Sequence, residues 1–93
     1  MSKDVVFKKG ALPMLTPAAA EELAQAKLQE YINACNCQTM TDVGNVLMKI
    51  CSVAGLMMCA TVGQNEAVAR LEGTAKHISS PKYAGPWKRE TIQ

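Results

Sequence analysis

The sequence predicts an all-α protein: a small three-helix domain with an extended N-terminal arm and a C-terminal tail, assembled as a helical homodimer. Three observations predict it. Thr16-Pro17 opens a long run of strong helix formers. Residues 40–62 then read as one helix that is apolar on almost every side. Within 65–79, Val68, Leu71, Ala75 and Ile78 recur at spacings of three and four, which draws a single apolar seam. Ninety-three residues support one domain, divided as arm 1–15, helical core 16–80 and tail 81–93.

In the arm, Val5, Val6 and Phe7 form a short apolar run between lysines, closed by Gly10 and Pro13. A lone strand would have nothing to pair with in the rest of this chain. The arm is therefore expected to pack Phe7 or Leu12 on the helices, or to meet its counterpart in a dimer.

The first helix is expected over 17–36. The Thr16 hydroxyl can accept from free backbone N–H groups, and proline is tolerated at the first helical position. Glu21 and Glu22 are placed in the first turn, beside the positive end of the helix dipole. Ala20, Ala24, Leu28, Tyr31 and Cys35 make its apolar face. Asn36-Cys37-Gln38 breaks the chain, and Thr39-x-x-Asp42 then resembles a capping box with a shortened acid.

The helix expected over 40–62 belongs in a protein core or a bilayer. Asn45 and Lys49 fall inside the run, and its flanks carry Asp42 and Gln64-Asn65-Glu66 without a basic cluster or aromatic belt. Lysine near the centre of a spanning helix costs about 2.5–3.5 kcal/mol. A core helix, with no membrane partner, is the expectation. A break or kink at Gly63 leads to the helix over 65–79, where Glu66–Arg70 and Glu72–Lys76 are spaced for ion pairing. Ser79-Ser80-Pro81 stops it.

Composition narrows function by exclusion. A net charge of +2 is too small a bias to argue for nucleic acid. The first nine residues lack the apolar stretch of an export signal, so the four cysteines are expected as reduced thiols in a cytoplasmic protein. Cys35 and Cys37 share a turn, whereas Cys51 and Cys59 are two helical turns apart, a poor spacing for zinc. No metal site and no cofactor are expected; the bland alternative, buried thiols acting as small hydrophobes, is preferred. His77 falls near a helix C-terminus, and no nucleophile elbow, phosphate loop or acid pair accompanies it. No catalytic residue is assigned, and the chain is not expected to be an enzyme. A helix-turn-helix register with Gly63 as turn glycine fails at Glu72, where an apolar residue is needed.

The feature that carries most weight is a stripe of small residues. Cys51, Gly55, Cys59, Gly63 and Ala67 recur every fourth position, which lines one helix face and lets another backbone approach. The first helix is the expected occupant of that groove, with a second copy or the third helix covering the opposite side, Val46, Ile50, Val53, Met57 and Ala60. The expected function is a non-catalytic interaction module that self-associates and docks on a larger protein assembly, modulating or inhibiting it. Phe7, Tyr83 and Trp87 are the candidate anchors, with Lys88 and Arg89 suited to an acidic partner surface. Two alternatives stand beside it. One is a nucleic-acid-associated protein using Lys3, Lys8, Lys9, Lys82, Lys88 and Arg89; the other is a thiol- or metal-responsive switch through Cys35 and Cys37.

Overall fold

A computed structural model describes residues 5–85. They form three α-helices: α1 (Pro17–Ala34), α2 (Met40–Val62) and α3 (Gln64–Ile78), followed by a short 3-10 turn at Pro81–Tyr83. No strand occurs among the described residues.

The helix ends follow from capping chemistry. Thr16 is extended, and its Oγ1 accepts the Ala19 N–H at 3.1 Å, with Pro17 in the first turn. Glu21 and Glu22 fall just past that turn, which holds no acidic residue, so their expected dipole role is weaker. Helix α1 closes at Ala34, two residues earlier than expected, because the Cys35 N–H turns back to the Tyr31 and Ile32 carbonyls and Asn36 enters the left-handed region at φ 54°. At the start of α2 the capping box is complete despite the short acid. The Asp42 N–H donates to Thr39 Oγ1 at 3.0 Å, and Asp42 Oδ2 accepts the N–H groups of Thr39 at 3.1 Å and Gln38 at 3.0 Å. Those backbone donors hold the Asp42 carboxyl below the usual carboxylate range.

Between α2 and α3 stands Gly63 alone, at φ 95° and ψ 155°. Only glycine enters this region without strain. The break expected there is a one-residue hinge. Gly55 and Leu71 each lie eight residues from it, and a Cβ built on Gly55 would meet Leu71 Cδ1 at 3.1 Å. Helix α3 therefore turns back toward α2 after the hinge, far enough for Leu71 to reach Gly55. Helix α1 reaches α2 through its C-terminal half, where the Tyr31 hydroxyl donates to the Val46 carbonyl at 3.0 Å.

Two expectations need correction. The small-residue groove meets α3 and not α1 at Gly55, where Leu71 Cδ1 is the neighbouring atom, and Ala67 on α3 is 1% exposed. The hinge geometry delivers α3 there, while α1 approaches from the Val46 side. Neither Phe7 (74% exposed) nor Leu12 (87% exposed) packs on the helices. Helix α2 is flanked by both neighbours yet sheathed by neither, and among the described residues only Gly55 and Ala67 are buried.

Candidate interaction surface

The exposed part of α2 can be placed by helical arithmetic. At about 100° per residue, Val53, Leu56, Met57 and Ala60 share one side, turned away from Gly55. All four are exposed, while Val46 and Ile50, near the same side but further toward the N-terminus, are half-buried close to where α1 makes its contact. Asp42, Asn45 and Lys49 occupy the N-terminal half of this side. The face is therefore polar in its first half and apolar in its second. On α3, the expected seam is only partly used: Leu71 faces Gly55 while Val68 and Ile78 remain exposed, and the buried residue is Ala67, outside the seam.

The residues of the stripe are thus divided between roles. Gly55 faces Leu71 of α3, Ala67 is buried, Gly63 makes the hinge, and Cys51 and Cys59 are exposed. Their thiols are not the buried small hydrophobes expected from composition. Cys35 is exposed and Cys37 half-buried. Partial burial, with Cys35 and Asp42 nearby, pushes the Cys37 thiol up, which keeps it protonated and slow as a nucleophile at neutral pH. Among the described residues no three His, Cys, Asp or Glu side chains gather around a common point.

Of the proposed anchors, Phe7 stands exposed on the arm. Tyr83 is half-buried and turned onto its own chain: its hydroxyl lies 3.3 Å from His77 Nε2, with the two rings edge to face at 5.4 Å. Lys82 Nζ sits 5.0 Å from the centroid of the Tyr83 ring. Trp87, Lys88, Arg89 and Lys3 lie outside the described residues. Around the third helix Glu66 and Arg70 pair at 3.0 Å, whereas Glu72 and Lys76 do not.

Sequence reasoning missed two contacts. The seam spacing puts Leu71 on the apolar face of α3 but does not mark it as the neighbour that Gly55 accommodates; the signal is their equal distance from Gly63. Helical spacing puts Tyr31 on the apolar face of α1, and nothing in the sequence marks Val46 as its acceptor. Partial burial, followed by the nearby Cys35 and Cys37, raises the Tyr31 hydroxyl above its ordinary value and so preserves it as a donor.

Fold and surface together define a small helical protein with an incompletely covered central helix. No family model, curated protein or solved structure matches the chain.

Proposed function

We propose that this chain is a non-catalytic interaction module that self-associates and docks on a larger protein assembly, modulating or inhibiting it. One observation carries the reading: the apolar second half of α2 is exposed in a folded chain whose own helices leave it uncovered. Contiguous apolar surface of this kind marks association sites. Phe7 adds an exposed aromatic on the arm, and Trp87, Lys88 and Arg89 supply an aromatic and cationic segment suited to an acidic protein surface.

Helix α2 is long and apolar enough to cross a membrane. The fold-back of α3 argues against that partner. With Leu71 against Gly55, near the middle of α2, a spanning α2 would carry Glu72 and Lys76 into the hydrocarbon beside it. Charged side chains at that depth cost several kcal/mol together, in addition to Lys49. A protein surface covers α2 without that penalty.

The test is capture of a partner from the native extract by the intact chain, beside a Trp87→Ala/Arg89→Ala variant, with identification by mass spectrometry. The reading predicts one dominant protein, recovered in fixed ratio by the intact chain and lost with the variant. Recovery of nucleic acid in place of protein, or equal recovery by both, would overturn it.

A further inference from the structure

Cys35 and Cys37 flank Asn36 on the turn between α1 and α2, and the function proposed above uses neither thiol. Asn36 stands at φ 54°, in the small left-handed region, where ψ is confined to about +30° to +60°. A residue curled in this way holds the Cα atoms of its two neighbours about 5.5 Å apart, whereas an extended residue parts them by about 7 Å. Disulfides span Cα separations of roughly 4.4–6.8 Å, most often about 5.5–6 Å. Hydrogen bonds fix the backbone through the whole turn. The Cys35 N–H donates to the Tyr31 and Ile32 carbonyls, and the Asn36 N–H to the Asn33 carbonyl at 3.3 Å. The Asn36 carbonyl accepts from Gln38 Nε2 at 3.0 Å, and the Gln38 N–H is held by Asp42. We infer that Cys35 and Cys37 form a reversible dithiol–disulfide site, oxidised by a low-molecular-weight disulfide such as oxidised glutathione without rearrangement of α1 or α2. The inference is independent of the interaction-module reading.

The other two thiols cannot pair with each other. Cys51 and Cys59 lie eight residues apart on one helix, about 12 Å along its axis and beyond the reach of a disulfide. Cys35 and Cys37, by contrast, lie within each other's field. After burial, the Cys35 charge is the next influence raising the Cys37 thiol, and both cysteines act on the Tyr31 hydroxyl.

That arrangement sets the order of the chemistry. Cys35, the exposed thiol, attacks first. Its thiolate bonds to one sulfur of oxidised glutathione and expels the other as a thiolate, which takes a proton from water. Capping the Cys35 sulfur removes its charge from beside Cys37, so the half-buried Cys37 thiol ionises more readily. Cys37 then gives up its proton, attacks Cys35 Sγ and expels the second glutathione thiolate. Two protein thiols and one glutathione disulfide become one protein disulfide and two glutathione thiols, and a reducing glutathione pool reverses both steps.

Glutathione redox buffers test the inference on the full chain. After equilibration, acid quenching and alkylation of the remaining thiols, trypsin cleavage at Lys27, Lys49 and Arg70 leaves Cys35 and Cys37 alone on residues 28–49, with Cys51 and Cys59 on residues 50–70. The expected 28–49 peptide lacks two hydrogen atoms and carries neither an alkyl group nor glutathione, while helicity by circular dichroism is unchanged. Closing a three-residue loop removes freedom from the unfolded chain. The disulfide should therefore form with a constant about tenfold larger in the native chain than in urea, and the urea midpoint of the oxidised chain should rise accordingly. Cys37→Ser should stop at a glutathione adduct on Cys35, formed faster than the Cys37 adduct of Cys35→Ser. A wild-type 28–49 peptide that ends as glutathione adducts, a formation constant no larger in the native chain than in urea, loss of helicity on oxidation, or faster reaction of Cys35→Ser would overturn the inference.

Discussion

Replacing Gly55 probes the α2–α3 contact most directly, because the space available there is known. A methyl group at this position would meet Leu71 Cδ1 at 3.1 Å, the far end of a flexible side chain that is 40% exposed. Gly55→Ala therefore combines two opposed effects. It gains about 0.8–1.0 kcal/mol of helix propensity, and moving Leu71 off its rotamer costs about 0.5–1.5 kcal/mol. The net change is expected within about 0.7 kcal/mol of zero. Gly55→Leu adds three further carbons in the same direction and should destabilise by about 1–3 kcal/mol through overpacking. Urea unfolding at fixed protein concentration measures both, with helicity as the signal. A double-mutant cycle with Leu71→Ala then isolates the pair: in that background Gly55→Ala should stabilise by nearly its full propensity gain. If Gly55→Leu costs nothing, or costs the same with and without Leu71, α3 does not lie against Gly55 and the account of the fold fails.

Other consequences are equally specific. Gly63→Ala meets no side chain, since nothing lies within 4 Å of the added Cβ, so its expected loss of about 1–3 kcal/mol is backbone strain alone; an unchanged urea midpoint would refute the hinge geometry. The Asp42 carboxyl has its folded-state pKa lowered by backbone donors, so its stabilisation is complete above its unfolded value of about 3.9 and disappears as pH falls through the folded value. Thermal midpoints of the wild type should accordingly drop below pH 4 more than those of Asp42→Asn, which keeps the acceptor but not the charge. In flotation with neutral lipid vesicles the chain should stay with the soluble fraction, and co-flotation would favour the bilayer as the cover for α2.

Local chemistry was legible in the sequence and long-range geometry was not. Thr16-Pro17, Thr39-x-x-Asp42 and Gly63 each act within four residues, and the helix boundaries they predict agree with those observed to within two positions. The choice of α3 over α1 as the occupant of the groove depends on the direction in which Gly63 sends the chain, which no periodicity encodes. The apolar pattern of α2 marked the helix itself, but three short helices lack the surface to enclose it, and its sheathing within one chain does not follow. The anchors fared unevenly for the same reason: Tyr83 is an aromatic in a tail by sequence, and only its contact with His77 shows it turned onto its own helix.

Amide hydrogen exchange of residues 45–60, followed across a dilution series, tests most directly whether another protein chain must complete α2. At concentrations where the chain associates, these amides should exchange slowly; on dilution they should lose protection as the cover departs. Rapid exchange at every concentration, or strong protection that dilution never diminishes in a single chain, would contradict the account.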